Sequence, residues 1–598
     1  MGSLFISFIF TFNTLLFLAA SYPSNWGWPK APPLVWPQPW SPYKPPPGFT
    51  PWAPSHPSPR TPPYNKPPPP PPPPPPPISA KIFTQCMRTV PSSDFYSPDN
   101  IATFTSVLNS TAQNFRCLNS KIRKPLIIFR PDDESQVPPA VKCAQKYNLN
   151  IRIRSGGHDY EGLSYISLLK NQPFMILDLY NLRDVDIDND PDTGNATAWV
   201  QAGATIGEAY YKISQVSKNL AFPAGLCSSL GIGGHLTGGA YGSMMRKFGL
   251  GADNVLDVRM VDYRGLVLSR TYSFDPQNGQ DHMDDNLFWA LRGGGGASFG
   301  IILAWKIQLV KVPSKVTMFT VVKTQQQKGT ATLFKWQDVA PKLPDELFLK
   351  VIIQAIPKVT VLTIYQALYL GNKKTLAKIM HNKFPELGVK LVNCTEMSWI
   401  QSVMTITGFN NSVPPKFLLQ HQPAFQLGFF KAKSDFLTTK MSMEAIEGIW
   451  DIFSEQSAPS LMIWNPYGGK MADIPEHAIP FPHRKGVICK IQYVATWFDD
   501  KPETQLKMED WMRRLYAYMG NYMNYPREAY LNYRDLDIGK DERTGSNCSD
   551  PTIWGPKYYK GNFPRLVDVK TKVDPTNFFN HEQSIPTYMT MNQCTDVI

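Results

Sequence analysis

The stretch Phe222-Pro223-Ala224-Gly225-Leu226-Cys227-Ser228-Ser229-Leu230-Gly231-Ile232-Gly233-Gly234-His235-Leu236-Thr237-Gly238-Gly239-Ala240-Tyr241-Gly242 decides how this chain is read. Glycine recurs so often that neither a plain helix nor a plain strand is expected, because each glycine loses much conformational freedom and packs no side chain. What the stretch offers is bare backbone that a bulky group can approach closely. Cys227 stands near its start with no other cysteine close by. By residue type it is either a free buried thiol or a group kept for chemistry. Upstream, Arg152-Ile153-Arg154-Ser155-Gly156-Gly157-His158-Asp159-Tyr160-Glu161-Gly162 leaves a predicted strand and sets paired glycines before a histidine. Such glycines free backbone amides for an anionic group such as a phosphate. Taken alone, His158 reads as an ordinary loop residue.

Outward from these stretches the chain reads as short alternating elements. Strands are expected at Pro125–Phe129, Leu149–Ile153, Met175–Leu179 and Ala198–Ala202, with a helix at Ala140–Tyr147. Val255–Val261 and Leu266–Ser269 flank a glycine turn and predict a β-hairpin. Residues 312–510 alternate strands (Phe348–Ile356, Val359–Leu368) with helices (Thr375–His381, Met441–Ser454). Two familiar patterns fail on context. Gly296-Ala297-Ser298-Phe299-Gly300 fits a serine-hydrolase elbow, which needs a strand before it and a helix after it. Here a helical pattern (Asn286–Leu291) precedes and a strand pattern (Ile301–Val310) follows. The glycines from Gly231 miss the GxGxxG spacing, because Leu236 occupies the third position. A Rossmann fold is therefore not expected.

Composition narrows the class. The 598 residues exceed one ordinary domain, and 42% are hydrophobic, enough for a large core. The net charge of +12 is scattered without an arginine-rich run, which argues against nucleic acid. Phe5 to Ala20 is almost wholly apolar and is followed by small residues, so 1–21 is expected to be a cleaved secretory signal. No later stretch is apolar for long enough to span a membrane, so no membrane association is expected after cleavage. Sequons at Asn109, Asn195, Asn393, Asn410 and Asn547 are predicted glycan sites. The cysteines form no CxxC pair and the histidines no HExxH, so no metal site is expected. Residues 22–78 are proline-rich, hold Trp26, Trp28, Trp36, Trp40 and Trp52, and end in the Pro67–Pro77 run. Without amide donors this region is expected to stay outside helix and sheet, as a disordered spacer carrying a polyproline rod. Ser41-Pro42-Tyr43-Lys44-Pro45-Pro46-Pro47 resembles cell-wall extensin sequence, which makes wall association a possible second role.

Together the two glycine-rich stretches closely resemble the berberine-bridge-enzyme-like oxidoreductases of the vanillyl-alcohol-oxidase (PCMH-type) flavoprotein superfamily. The resemblance runs from about Lys81 to Pro586. It includes Val200-Gln201-Ala202-Gly203-Ala204, Ala252-Asp253-Asn254-Val255, Phe288-Trp289-Ala290-Leu291-Arg292-Gly293-Gly294-Gly295-Gly296, Asp574-Pro575-Thr576-Asn577-Phe578-Phe579 and Gln583-Ser584-Ile585-Pro586. It implies an α+β fold, with a PCMH-type FAD-binding domain at 79–311 and a substrate domain at 312–515. The latter would carry a large antiparallel sheet covered by helices, and a segment at 516–598 would return to the FAD domain. It further implies FAD bonded through its 8α-methyl carbon to His158 and through C6 to Cys227. Arg154, Ser155, Gly156, Gly157, Asp159, Gly203, Gly231, Gly233, Gly234, His235, Gly238, Gly239 and Asn577 are implied around that cofactor. A disulfide between Cys86 and Cys143 is implied as well, and Cys117 lies outside that pair.

In the monolignol-oxidising branch, to which the chain is most similar, the resemblance makes Tyr533 the base, with Tyr241, Lys490, Gln492 and Tyr160 around it. Lys490 and Gln492 fall on one face of an apparently exposed strand, Lys490-Ile491-Gln492-Tyr493. Tyrosine is a poor base at its usual pKa of about 10, and a nearby ammonium such as Lys490 is expected to lower it. Glutamate at the Gln492 position marks alkaloid-cyclising relatives, so that ring closure is not expected. Leu230 stands at the family's oxygen gate, where leucine accompanies slow reaction with dioxygen, so a dehydrogenase-like enzyme is expected. The expected reaction is hydride transfer from an alcohol, such as an aromatic allylic monolignol, to FAD. Oxidation of a sugar at its anomeric carbon is the alternative within enzymes. A wall structural protein with an inactive flavin domain is the alternative outside them.

Overall fold

The computed structural model describes residues 78–119, 122–169, 172–190, 192–273, 275, 277, 279–357, 359–409, 412–420, 428–455, 460–540 and 551–595. The signal expected at 1–21, nearly all of region 22–78, and the sequons at Asn410 and Asn547 lie outside these residues. The first sheet holds β1 (Phe95–Tyr96), β2 (Ile128–Phe129), β3 (Asn150–Arg154) and β4 (Phe174–Asp178), in the order β1-β2-β4-β3. β2, β4 and β3 run parallel. All of β4 is buried, as a parallel strand covered on both faces requires. The strand expected at Pro125–Phe129 shortens to β2; Pro125 has no amide to add a rung.

The second sheet holds β5 (Val185–Asn189), β6 (Ala196–Gln201), β8 (Val255–Val261), β9 (Val267–Ser269), β10 (Gln280–His282) and β11 (Ile301–Gln308). Its order is β10-β9-β8-β11-β6-β5, while β7 (Leu220–Ala221) pairs with β12 (Val310–Lys311) as a separate ribbon. The expected hairpin is β8–β9, turned at Gly265, whose φ of +73° suits glycine. The strand expected at Ile301–Val310 divides after Gln308, because the chain leaves β6 and β8 there and takes β7 as partner. Helix Asp285–Leu291 precedes the Gly296–Gly300 loop and β11 follows it, the reverse of a hydrolase elbow.

The third sheet is antiparallel: β13 (Val316–Thr324), β14 (Leu347–Ile356), β15 (Thr360–Tyr369), β16 (Thr395–Met397), β17 (Phe429–Leu437), β18 (Ser460–Pro466) and β19 (Cys489–Trp497). Its order is β16-β13-β15-β14-β18-β19-β17. Successive side chains alternate between its faces. On β14, Leu349, Val351 and Ile353 join a core beneath helices Gly329–Val339, Met443–Ser454 and Pro502–Gly520. Lys350, Ile352 and Gln354 point the other way, into a cavity. Helices Pro551–Tyr559 and Phe563–Val573 pack Trp554, Tyr558 and Leu566 into the core that contains Leu177, Val258 and Trp305. The C-terminal stretch thus completes the first half of the molecule, and the whole is α+β. Cys86 and Cys143 form a disulfide across a separation of 57 residues, tying helix Ala80–Cys86 to helix Val137–Lys146.

Candidate active site

The two glycine-rich stretches meet backbone to backbone. A Cβ on Gly156 would collide with the backbone nitrogen of Gly231, and one on Gly231 with that of Gly156. This crossing is what requires glycine at both positions. Beside it the Ser155 hydroxyl donates to the Ala202 carbonyl at 2.5 Å. One expectation is corrected here. Ile232–Thr237 is a short α-helix despite its glycines. Packing outweighs propensity, with Gly233 seated on the Ala202 backbone. Gly234 faces open space.

Ser229 links the two expected anchors. His158 Nε2 lies 3.0 Å from Ser229 Oγ, and Cys227 Sγ lies 3.4 Å from the same oxygen. Burial lowers the His158 pKa to about 4, so its imidazole is neutral near pH 7. Burial raises the Cys227 thiol, opposed in part by Ser229. His235 accepts the Gly225 amide at 2.9 Å through Nε2, and burial lowers its pKa to about 3. Its ring therefore shapes the turn ahead of Cys227. Leu230 closes the same turn, its amide donating to the Cys227 carbonyl at 3.1 Å. Cys117 is a free buried thiol, packed where any side chain on Gly162 would fall.

On the same cavity, three tyrosines gather around a lysine and a fourth, Tyr160, packs beside them. The Tyr241 and Tyr533 hydroxyls are hydrogen-bonded to each other. Tyr160 stacks on Tyr533 with centroids 5.1 Å apart, and Gln492 Nε2 donates to the Tyr160 hydroxyl at 2.7 Å. Lys490 Nζ lies 2.7, 4.1 and 4.7 Å from the ring centroids of Tyr241, Tyr530 and Tyr533.

This arrangement corrects two expectations. The strand bearing Lys490 and Gln492 is internal, flanked by β17 and β18, and Lys490 is 0% exposed. Nor does Lys490 sit against a phenol oxygen and lower its pKa. It covers ring faces, its Nζ has no hydrogen-bond partner among the described residues, and burial holds it well below the usual lysine value. Burial also raises Tyr533 well above 10 and Tyr241 to about 12.

Anchors and tyrosines line one cavity of about 650 Å³, within the range of small-ligand sites. Ser155, Gly156, Gly157, Asp159, Leu230, Gly231, Gly233, Gly234 and His235 also line it. Arg154, Gly203, Gly238, Gly239 and Asn577 do not. Arg154 turns away to Asp178 at 2.7 Å and to the Val107 and Leu108 carbonyls. Gly203 packs on the Leu179 carbonyl, Gly238 on the Asn532 side chain, and Gly239 near Phe481. Asn577 turns the chain at φ +52°, next to the Asp574 cap. These five lie outside the cavity lining, and both polar atoms of the Asn577 side chain are buried with no hydrogen-bond partner among the described residues.

The structure adds residues not singled out from sequence: Ser229, which links the anchors, and on the wall Tyr530 and Arg534 of the loops with Lys350, Gln354, Gln366 and Asn465 of the sheet. The polar residues of β14 held a signal, since Lys350 and Gln354 stand on one face of an otherwise apolar strand. Arg534 Nε donates to Asp159 at 2.8 Å, while its buried Nη1 has no partner among the described residues. A ligand rich in acceptors suits that orphan donor and the bare backbone at Gly234, so the wall fits a flavin nucleotide. Among the described residues, no group of His, Cys, Asp and Glu side chains could hold a metal ion.

The family model "FAD binding domain" matches residues 125–270, and "Berberine and berberine like" matches 529–586. Berberine bridge enzyme-like 26 of Arabidopsis thaliana is 51% identical over 83% of this chain and 90% of its own length. Monolignol oxidoreductase AtBBE-like 13 of the same plant is 50% identical, again over 83% and 90%. Among solved structures, wild-type Phl p 4.0202, described as a glucose dehydrogenase, is 40% identical over 84% of this chain and 99% of its own, with a TM-score of 0.77. An isoleucine-to-valine variant of Phl p 4, described as a glucose oxidase, matches with a TM-score of 0.78.

Proposed function

Because the chain belongs to the berberine bridge enzyme-like family of FAD-linked oxidoreductases, we propose that it oxidises an aromatic allylic alcohol, such as a monolignol, on FAD bonded to His158 and Cys227. One observation carries this reading: a hydroxyl pair, Tyr241–Tyr533, lines the same cavity as both anchors, which Ser229 links. Since Ser229 occupies Nε2 of His158, Nδ1 is the nitrogen that bonds the cofactor. FAD supplies the two-electron acceptor for the hydride leaving the carbinol carbon.

The protein's part is to hold the alcohol and take its proton. Tyr533 Oη receives that proton, with Tyr241 donating a hydrogen bond to it. A Tyr533 phenolate with a Lys490 ammonium holds as many protons as the neutral pair, so the pair adds no net charge to the cavity. The three ring faces around Lys490 favour its ammonium form once the phenolate appears. Gln492 fixes Tyr160, whose ring in turn supports Tyr533. An ionised glutamate at position 492 could not donate this bond.

Leu230 sets the acceptor preference. In Phl p 4 the wild type is described as a glucose dehydrogenase and an isoleucine-to-valine variant as a glucose oxidase, so a single methylene is enough to matter. With leucine at position 230 this enzyme behaves as a dehydrogenase. The same relative supports sugar oxidation as a second reading, and the product separates the two: an aldehyde from an allylic alcohol, a lactone from a sugar. The enzyme is secreted after cleavage of 1–21 and glycosylated at its sequons, of which Asn109, Asn195 and Asn393 are exposed. Region 22–78 then serves as a spacer or wall attachment.

The test is acid precipitation of the purified enzyme followed by a substrate screen. Yellow colour kept in the pellet, lost only in the His158→Ala/Cys227→Ala double variant, and aldehyde formed from coniferyl alcohol are expected. Colour in the wild-type supernatant would reject the covalent bonds. A lactone from glucose with no aldehyde from coniferyl alcohol would reject the substrate class.

A further inference from the structure

One row of side chains crosses the cavity face of the third sheet. Thr320 of β13 pairs with Gln366 of β15, and Gln366 with Lys350 of β14. The next step of the Val351–Trp464 register sets Lys350 opposite Asn465 of β18, which pairs with Lys490 of β19. The row is polar throughout, whereas the next cavity-facing row carries Ile364, Ile352 and Ile463 and ends at Gln492 on β19. It thus joins Lys490, beneath the tyrosine pair, to a second lysine across two strand spacings of about 4.8 Å, or about 10 Å in all.

Lys350 has no structural task. It is 7% exposed, lines the cavity, and makes no hydrogen bond or ion pair among the described residues. Its neighbours are equally unspent: Gln366 Oε1 and Asn465 Nδ2 are buried without partners. Asp159 is the sole carboxylate on the cavity wall among the described residues, and Arg534 holds it. Burial alone draws the Lys350 pKa down to about 8. A buried cation facing a cavity with no free counter-charge is costly unless something that enters the cavity partners it.

We propose that Lys350, with Gln366 and Asn465, forms a distal subsite for the far end of the substrate, binding an oxygen that carries or readily takes negative charge, a phenol or a carboxylate. The spacing from Lys490 matches an extended 4-hydroxycinnamyl alcohol, its carbinol at Tyr533 and its ring hydroxyl at Lys350. Asn465 lies between the two lysines, and the isoleucines of the adjacent row flank the ring and double bond. This assignment rests on the alcohol-oxidation reading only for which end reacts. Lys350 is here a specificity residue, remote from the reacting carbon.

The test pairs turnover with binding in the flavin-loaded enzyme. Unsubstituted, 4-hydroxy- and 4-carboxycinnamyl alcohols are compared in wild type, Lys350→Met and Gln366→Leu. Unreactive propylbenzene, 4-propylphenol and 4-propylbenzoate are titrated by the change in flavin absorbance. Wild type is expected to favour one or both oxygen-bearing ligands, and which one identifies the group. Lys350→Met is expected to lose roughly 10- to 100-fold in kcat/KM for that ligand, through KM, and to keep its rate on unsubstituted cinnamyl alcohol. Equal handling of all three ligand types by wild type overturns the subsite even if the variants fail to fold. So does an equal loss on every substrate in both variants. Binding of 4-propylphenol or 4-propylbenzoate that depends on Lys350, with no cinnamyl alcohol oxidised, would keep the subsite and reject the alcohol reading.

Discussion

Replacing Lys490 by methionine should stabilise the protein while slowing it, by an amount that grows as pH falls. The side chain is fully buried, its ammonium has no hydrogen-bond partner among the described residues, and burial lowers its pKa far below that of a free lysine. Between the folded pKa and about 10.4, the unfolded chain binds a proton that the folded chain does not. Stability in that window therefore rises with pH and is lost as pH falls, by about 1.4 kcal/mol per unit. Methionine keeps most of the packing and removes the slope. For roughly 500 folded residues the unfolding entropy is about 1 kcal/mol per degree, so the gap in Tm should widen by roughly 1.3 °C per pH unit. Paired melting curves at pH 7, 8 and 9 measure it, and groups common to both proteins cancel in the difference. A Tm gap independent of pH, or a variant less stable throughout, would refute the reasoning. It would mean the three tyrosine rings keep Lys490 charged.

Tyr533→Phe removes the oxygen that takes the alcohol proton, and should slow flavin reduction by about 10²- to 10⁴-fold in stopped flow; an unchanged rate would remove Tyr533 from the chemistry. Leu230→Val should speed reoxidation of the reduced enzyme in air-saturated buffer without changing the reductive half-reaction, and an unaltered reoxidation rate would dismiss Leu230 as a gate. His235 is held neutral with a pKa of about 3, so the folded state resists a proton that the unfolded chain accepts below about 6.5. Stability should fall as pH drops through that window, by up to about 5 kcal/mol, and His235→Gln should flatten the fall in denaturant midpoints.

The sequence carried more of the site than of the scaffold behind it. Alternation placed Lys490 and Gln492 on one face, and β19 does present both on the cavity side. Their burial was hidden, because β17 and β18 reach β19 across long connections, each holding a helix, that local pattern does not describe. The Gly265 turn was legible because a hairpin is fixed by adjacent residues. The resemblance implies Gly203, Gly238 and Gly239 around the cofactor, and which protein backbone and side chains abut each of them is not legible from residue type. Lys350 passed unnoticed for a similar reason. A lysine in a strand usually reaches water, and only the fold shows that this one faces a cavity.

The cavity draws its walls from distant parts of the chain, and this gives it a timetable. The anchors at His158 and Cys227 leave the ribosome long before Tyr533, Arg534 and His581, which line the same cavity. At about 5 to 20 residues per second, roughly 15 to 60 s separate synthesis of Cys227 from that of Tyr533. Through that interval the nascent cradle lacks both those residues and the C-terminal helices of its core. Any group that meets this cavity before Tyr533 and His581 are made meets only part of its lining.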